Sequence, residues 1–372
     1  MIYLDNAATT ALDERVLAAM KPYFTEKYGN ASSKHTMGLE AKRTLEESRK
    51  IIAKSINAKP PEIIFTSGGT EANNFALKGI IWATGKKHII TTKIEHDCIL
   101  NSSKWLESQG IKITYLDVDK EGFVNPEDIK NAITKDTALV SVIHGNNEIG
   151  TIQDIETIGK VCREKQVYFH TDACQSHTKT ELDVKKQNID LVTLNAHKIH
   201  GPKGVGALFV RDGIKITPLL HGGGHEKELR SGTENVSGIV GFAKAVQLAK
   251  PKHINYIEKL RDKLIKGILK LPGTKLNGAQ GKKRLCNNVN ILFKDAEAET
   301  IGDYLDAYEI CSSVGSACSS HTLEPSHVLA AIGLSPVENK SSLRLSLSRF
   351  NTHEEIDRVL ELMPTILKNS RK

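Results

Sequence analysis

The sequence predicts an α/β protein with a mostly parallel sheet covered by helices on both faces, followed by a smaller α+β domain. Strand-like and helix-like segments alternate from about residue 60. Several of the strand-like segments are apolar throughout, as strands buried on both faces are. The 372 residues exceed the roughly 250 to 300 at which a single core stops growing, so two domains are expected.

Seven segments in the first part are predicted strands, because they are short and rich in β-branched residues. They are "EIIFTS", "KHIITT", "IKITYLDV", "TALVSVIH", "QVYFHTDA", "IDLVTLN" and "VGALFVR". Between them, "TEANNFALKGIIWA", "PEDIKNAIT" and "DIETIGKVCREKQ" have helical spacing, and Pro126 favours a helix start. The second part predicts a long helix from about Gly238 to Leu271, the strand "NNVNILF", a helix from about Ala296, the strand "SSLRLSLSRF" and a closing helix from about His353.

The domain boundary is predicted inside that long helix, near residue 256. Residues 13–256 would form the large domain, and residues 1–12 and 257–372 the small one. Because no flexible linker or low-complexity segment separates them, we expect the two domains to pack around a shared cleft. The functional site is expected there.

Composition argues against several classes of protein. Hydrophobic residues make up 39% of the chain and charged residues 26%, and no segment approaches the roughly 20 apolar residues of a membrane span. The N-terminus lacks the basic start and apolar core of a signal peptide, so we expect a cytoplasmic protein. A net charge of +7 with scattered lysines and 5% aromatic residues argues against direct nucleic-acid binding. No metal site is expected, because the cysteines and histidines lack CxxC and HExxH spacing.

Three motifs in the first part suggest a phosphate-containing cofactor. "FTSGGTEANN" places Gly69 and Thr70 between a strand and a helix, where free backbone N–H groups bind phosphate. Lys198 follows one predicted strand and Asp172 ends another, one crossover connection upstream. A lysine that forms a Schiff base and an aspartate that pairs with a pyridinium nitrogen are the two groups that pyridoxal phosphate (PLP) requires. Taken singly, a plain βα turn and a surface lysine remain the alternatives.

A cysteine in the second part has unusual neighbours. Cys318 lies in "SSVGSACSSHT", among small polar residues that favour turns. A structural cysteine packs among hydrophobic residues, whereas a reactive thiol must be accessible. From this segment alone, an exposed loop that merely contains a cysteine is the alternative.

The whole chain resembles the cysteine desulfurases of the NifS/IscS family, within the aspartate-aminotransferase-like fold of PLP-dependent transferases. The resemblance rests on an ordered set of motifs: "YLDNAATT", "SGGTEANN", "EHDC", "NNEIGT", "DACQS", "AHKIHGPKGVGA", "HGGGHE", "RSGTENV", "GSACSS", "LEPSHVL" and "LRLSLSRFNTHEEID". The length of the segment around Cys318 resembles the IscS-like branch more than the shorter SufS-like branch.

The resemblance implies roles around the cofactor ring. Lys198 would bind PLP covalently, and His96 would stack on the ring as a further catalytic residue. Asp172 would pair with the pyridine nitrogen and keep it protonated. Gln175 and Asn147 would bond the phenolic oxygen, and Asn147 would also reach the substrate carboxylate.

It also implies how the phosphate and the substrate are held. Gly69, Thr70 and His197 would bind the phosphate, and Thr233 would reach the phosphate of a neighbouring subunit in a homodimer. Arg344 would hold the substrate carboxylate, a task that suits its planar fork of donors.

Asn195 departs from the family pattern, because many members have Ser or Thr two residues before the histidine of "HK". Its amide still donates hydrogen bonds, so we expect it to contribute to cofactor binding with altered local geometry.

The resemblance implies that L-cysteine is converted to L-alanine, with a persulfide on Cys318 as the second product. The sulfur would pass to an acceptor such as an iron–sulfur scaffold or a tRNA-thiolation protein. The alternatives are another PLP lyase or aminotransferase of the same fold, such as a selenocysteine lyase, and a non-catalytic regulatory homologue.

Overall fold

The computed structural model describes residues 1–314 and 325–371, which form three sheets surrounded by helices. The strands are β1 (Ile2–Tyr3), β2 (Ile63–Thr66), β3 (His88–Thr92), β4 (Lys112–Leu116), β5 (Thr137–Ser141), β6 (Tyr168–Asp172), β7 (Leu191–Asn195), β8 (Gly206–Val210), β9 (Thr274–Leu276), β10 (Asn288–Phe293), β11 (Ile310–Cys311) and β12 (Ser342–Ser346). The helices are α1 (Glu14–Met20), α2 (Pro22–Thr25), α3 (Thr36–Lys54), α4 (Gly69–Thr84), α5 (Asp97–Ser108), α6 (Pro126–Ala132), α7 (Ile155–Glu164), α8 (Val236–Leu248), α9 (Pro251–Ile268), α10 (Ala298–Ala307), α11 (His327–Ala331), α12 (Pro336–Lys340) and α13 (His353–Ser370).

The central sheet contains the seven strands predicted for the first part of the chain, in the order β2-β8-β7-β6-β5-β3-β4. Strands β4, β3, β5, β6 and β7 pair in parallel. Strand β8 runs antiparallel to both of its neighbours, β2 and β7. The prediction of a mostly parallel sheet in an α/β fold is confirmed.

Helices cover both faces of this sheet, which explains why its strands are apolar throughout. Ile89 and Leu139 point to the face covered by α4 and α5, where they join the cluster around Phe75. The next residue in each strand, Ile90 and Val140, joins the cluster on the opposite face, with α1, α3, α7 and α8. Alternate side chains of a strand point to opposite faces, so a sheet covered on both sides requires apolar residues at every position.

The smaller half of the molecule is built on two short sheets. Strands β12, β10 and β9 form an antiparallel sheet, and β1 pairs in parallel with β11. Their core, shared with α9, α10 and α13, includes Leu4 from the N-terminal segment. The division of the chain at residues 13–256 and 257–372 stays a prediction.

The prediction of a single long helix from about Gly238 to Leu271 is wrong, because the chain forms two helices there, α8 and α9, with a break between them. Lys250 has extended backbone angles (φ −128°, ψ 147°), and Pro251 is the first residue of α9. The proline ring disfavours the helical conformation of the residue before it, so the break is a local steric effect. Residue 256 lies inside α9.

Helix α11 returns the chain to the central sheet after residue 325. Its Val328 and Leu329 pack against Ile94, Ile143 and Ile149, which lie in loops at the carboxyl edge of the sheet. Among the helices of the described residues, none has the length and apolar character needed to cross a lipid bilayer.

We predict that Gly159→Ala, in α7, lowers the free energy of unfolding, although alanine is the better helix former. A Cβ atom at Gly159 would lie 1.9 Å from the backbone oxygen of Gln187, so the helix would have to move away from its neighbour. Such overpacking costs about 1 to 3 kcal/mol, more than the gain in helix propensity of about 1 kcal/mol. Urea unfolding of the purified protein measures the change.

Gly302→Ala, in α10, is the matched control. The nearest described atom to a Cβ at Gly302 is Ser312 Oγ at 3.8 Å, an ordinary contact, so this variant should keep or gain stability. Equal effects of the two substitutions would show that the contact with Gln187 does not constrain α7.

Candidate active site

Four parallel strands end at one edge of the central sheet, and the loops that follow them carry most of the predicted site residues. His96 follows β3, Asn147 follows β5, Asp172 ends β6, and Lys198 follows β7. The carboxyl ends of parallel strands meet at the same edge of a sheet, which is where ligands bind in open α/β folds.

These residues line a cavity of about 730 Å³ between the sheet edge and the smaller half of the molecule. It brings together ten predicted site residues: Gly69, Thr70, His96, Asn147, Asp172, Gln175, Asn195, His197, Lys198 and Arg344. Thr233 does not line it and is exposed between β8 and α8. Cys318 lies outside the described residues.

The Asp172 carboxylate is buried and held on both oxygens. Asn73 Nδ2 donates to Oδ2 over 2.7 Å, and the backbone N–H of Cys174 donates to Oδ1 over 2.9 Å. Only 4% of Asp172 is exposed to solvent. These bonds fix the orientation of the carboxylate toward the cavity, as the partner of a ligand N–H would require.

Lys198 reaches the cavity from the loop after β7. Its Nζ donates to the carbonyl oxygens of Ala7 and Ala8 in the N-terminal segment. Thr10 binds the same loop, because its N–H and hydroxyl both donate to the carbonyl oxygen of His197. The N-terminal segment thus forms the wall that faces the lysine amine.

The side of the cavity at the start of α4 has the properties of a phosphate cradle. Gly69 is the first residue of α4, so the N–H groups of this helix end have no intrahelical acceptor. A Cβ at Gly69 would lie 2.6 Å from Cys174 Sγ, so only glycine allows this close approach. Asn195 Oδ1 is buried and accepts no hydrogen bond within the described part of the chain.

Histidine side chains complete two walls of the cavity. Burial and the neighbouring lysines Lys198, Lys203 and Lys179 lower the pKa of His197 to about 4, so its imidazole is neutral at pH 7. His96 caps α5, because its Nδ1 accepts from the backbone N–H of Cys98 over 3.2 Å.

Arg344 lies at the opposite wall and is 1% exposed. Its Nη2 donates to Asp5 Oδ1 over 2.9 Å, and its Nη1 donates to the carbonyl oxygen of Asn147 over 3.2 Å. Arg344 Nε is buried and has no acceptor among the described residues. The guanidinium is therefore fixed in position with one buried donor still available.

Two buried glutamates connect the cavity wall to the chain after residue 325. Ser326 Oγ donates to Glu148 Oε2 over 2.5 Å, and burial raises the pKa of Glu148. His327 Nε2 lies 2.8 Å from the carbonyl oxygen of Glu95, which only accepts, so this ring nitrogen is the donor. These contacts fix the start of α11 beside His96.

Sequence analysis missed Asn73, Cys98 and the two alanine carbonyls. Asn73 is fully buried and donates to both Asp172 and Cys98 Sγ. Its position three residues after Thr70, on the same helix face as the cradle, was a usable signal. The approach of Ala7 and Ala8 to Lys198 joins distant parts of the chain, and no local pattern predicts it.

The chain is similar to known proteins over nearly its whole length. The family model for class-V aminotransferases matches residues 2–359. A protein of Methanosarcina thermophila named cysteine desulfurase IscS is 50% identical over 375 residues, which cover 100% of this chain and 93% of that protein.

Solved structures have the same fold. A structure titled NifS-like protein superposes with a TM-score of 0.92 and 38% identity, covering 99% of each chain. A structure titled SspA in complex with cysteine has a TM-score of 0.85 and 37% identity, covering 95% of this chain and 100% of that one. The prediction of the fold is confirmed.

We predict that Glu95→Gln stabilises the protein relative to wild type as the pH rises. Burial raises the pKa of Glu95 from an ordinary 4.5 to about 8. The bonds that Oε1 accepts from Thr92 Oγ1 and the N–H of Ile143 lower this pKa but do not offset burial, and Oε2 has no partner within the described chain. The wild type therefore loses stability between about pH 4.5 and 8, by about 1.4 kcal/mol per pH unit, and the uncharged glutamine does not.

Thermal unfolding is measured from pH 5 to 9. The Tm of Glu95→Gln minus the Tm of the wild type should increase up to about pH 8 and stay constant above it. Thr92→Val removes one donor to the carboxylate and should move that levelling-off to higher pH. Parallel curves for wild type and Glu95→Gln over this range would contradict the prediction.

Proposed function

The chain belongs to the class-V aminotransferase family and, within it, to the cysteine desulfurases, and on that premise we propose that it removes the sulfur of L-cysteine to leave L-alanine. The observation that carries the proposal is one cavity in which a buried carboxylate, a lysine amine and a buried guanidinium lie together, in the side chains of Asp172, Lys198 and Arg344. Each comes from a different part of the chain, and each has a partner in the substrate or in PLP.

We propose PLP as the cofactor, and the residues of the cavity fit it. Bound PLP withdraws electrons from the substrate Cα and so weakens its bond to hydrogen. The start of α4, with Gly69 and Thr70, would take the phosphate, and the amide N–H2 of Asn195, which lines the same cavity, would donate to it. Asp172 would bind the pyridine N–H, and Lys198 would hold the cofactor covalently through Nζ.

Further residues would orient the ring and the substrate. His96 would stack on the ring, and Gln175 and Asn147 would bond its phenolic oxygen. Gln175 Nε2 donates to the carbonyl oxygen of Ala7, which fixes its side chain in the cavity wall. Lys198 Nζ would take the proton from the substrate Cα, since an amine freed from its charge is a general base.

Arg344 would hold the substrate carboxylate. Burial strengthens its charge-assisted bonds, and its Nε is a donor without an acceptor among the described residues. Its bond to Asp5 keeps the guanidinium oriented before substrate arrives. A carboxylate bound here would present the rest of the substrate to Lys198 across the same cavity.

Cys318 would be the nucleophile and first sulfur carrier. Its thiolate would attack the substrate sulfur, the Cβ–S bond would break with its electrons passing to Cβ, and protonation at Cβ would yield alanine. The new S–S bond is a persulfide on Cys318, so atoms and electrons balance without an external oxidant. The described chain resumes at residue 325, where Ser326 Oγ donates to Glu148, the neighbour of Asn147 in the cavity wall.

We also propose partners and a location. A homodimer would let the exposed Thr233 complete the phosphate site of a second copy. The persulfide would pass to an acceptor such as an iron–sulfur scaffold or a tRNA-thiolation protein. The cytoplasmic location remains a prediction.

We predict that Lys198→Ala abolishes release of alanine and sulfide from L-cysteine, because the amine that holds the cofactor and moves the proton is lost. The purified wild type should be yellow, and the variant should lack the visible band of lysine-linked PLP. Lys203→Ala, five residues on and exposed outside the cavity, is the control that should keep both properties. Turnover by Lys198→Ala at the wild-type rate would overturn the assignment.

We predict that Cys318→Ser separates binding from sulfur transfer. The variant should still bind PLP and respond to L-cysteine with a spectral change, while alanine production collapses, because a hydroxyl is a far weaker nucleophile and cannot hold a persulfide. Peptide mass analysis of the wild type after brief exposure to cysteine, without reductant, should find one extra sulfur at residue 318.

Cys311→Ser is the matched control, since Cys311 is a free thiol in β11 of the smaller half. It should keep the wild-type rate. Extra sulfur on Cys98, Cys174 or Cys311 instead of Cys318, or full activity of Cys318→Ser, would reject the role of Cys318.

A further inference from the structure

A second cavity, of about 450 Å³, lies on the other side of Lys198 from the candidate active site. Its walls come from the N-terminal segment, the loop after β7, the junction of α8 and α9, and the chain that follows β12. Lys198 is the one residue that lines both cavities among the described residues. The proposed reaction uses no other residue of this second cavity.

The charges that face this cavity have one sign. Lys179, Lys198, Lys250 and Arg349 line it, and no carboxylate does among the described residues. The nearest acid in the hydrogen-bond network, Asp13, is already bound by Arg349 over 2.8 Å and by Arg15 over 2.7 Å. Asp13 therefore offsets the charge of Arg349, whereas no carboxylate of the described residues lines the cavity beside Lys179 or Lys250.

The hydrogen-bond donors of these cations also exceed their acceptors. Arg349 has a side chain that is 8% exposed, and its Nε is buried without an acceptor among the described residues. Lys179 Nζ donates to the carbonyl oxygen of Gln175 over 3.0 Å, and an ammonium group has three donors. A buried donor without an acceptor is costly, so this geometry favours a ligand that brings acceptors.

The titration of neighbouring groups supports the same conclusion. Burial and the charge of Arg349 lower the pKa of His200, which also faces the cavity, to about 4. Burial lowers the pKa of Lys179 to about 8. Both shifts disfavour further positive charge in this region, and a bound anion would relieve them.

We propose that this second cavity binds a small inorganic oxyanion, such as sulfate or phosphate, between Arg349 and Lys179. A tetrahedral oxyanion presents several acceptors to donors that approach from different elements, and charge-assisted bonds to a guanidinium are the strongest of these. The site is separate from the cradle at α4, and the inference does not depend on the proposed reaction.

The test uses the PLP-saturated enzyme, so that the cradle at α4 is not available to the added anion. Thermal unfolding is followed against increasing sulfate, with chloride at equal ionic strength as reference, and is repeated with phosphate. Sulfate stabilises most proteins by exclusion from their surface, without saturation, so only a saturating rise in Tm at low concentration reports a site. We expect that saturating rise in the wild type with both oxyanions.

Lys179→Met should raise the sulfate concentration at which the saturating rise in Tm is half complete by about tenfold or more. The non-saturating stabilisation by sulfate should stay the same. Methionine keeps the packing volume, and the ion pair of Arg349 with Asp13 stays in place. Lys252→Gln, exposed on α9 outside the cavity, is the matched control and should bind as the wild type does. A crystal grown with selenate should show its anomalous signal beside Arg349.

Two results would overturn the proposal: no saturating rise in the wild type, or the same saturating rise in Lys179→Met. If sulfate binds and phosphate does not, the site selects its anion by size or protonation state rather than as a general oxyanion site, which would also reject the proposal as stated. Loss of desulfurase activity in any of these variants has no bearing on it, because the readout is unfolding of the loaded protein.

Discussion

The short N-terminal segment is the element on which both halves of the molecule and both cavities depend. Asn6 Nδ2 donates to the carbonyl oxygen of Ser346 over 2.9 Å, which joins the segment to the sheet of the smaller half. A few residues later, Thr10 binds the loop that carries Lys198, and Asp13 pairs with Arg349. Backbone groups that are buried between the two halves must find hydrogen-bond partners. Since this segment bonds to both halves, it fixes how the two halves lie against each other. The carbonyl groups that face Lys198 lie in the same stretch.

The candidate active site contains three of the buried polar groups that lack a hydrogen-bond partner within the described chain, and others lie elsewhere in the fold. Buried side-chain atoms of Asn73, Asn195 and Arg344 have no partner among the described residues, although each residue makes other hydrogen bonds or lies in the cavity wall. Burying such groups reduces stability, and native proteins retain them mainly where a ligand supplies the missing partner. The sheet, covered on both faces, supplies the stability that offsets this cost.

Charge is distributed unequally over the two cavities that share Lys198. The active-site cavity contains the Asp172 carboxylate opposite Lys198 and Arg344, so a ligand there must carry both positive and negative groups. The second cavity has cations without a carboxylate in the described walls. An amino acid bound to a protonated pyridine ring matches the first pattern, and a simple anion matches the second. The same fold therefore provides two electrostatic environments on either side of one lysine.

The sequence alone determined the elements whose signals are local. Apolar periodicity identified the seven strands of the central sheet, and the glycine-containing turn before α4 indicated where a phosphate could bind, because both depend on residues adjacent in the chain. The Pro251 break was also local, but the helical periodicity on both sides concealed it. Only the tertiary structure decided that Ala7 and Ala8 face Lys198, that Asn147 and Asp5 orient Arg344, and that cations gather around the second cavity. Such contacts join residues that lie far apart in the chain. They form only when the two halves pack together, so no spacing in the sequence predicts them.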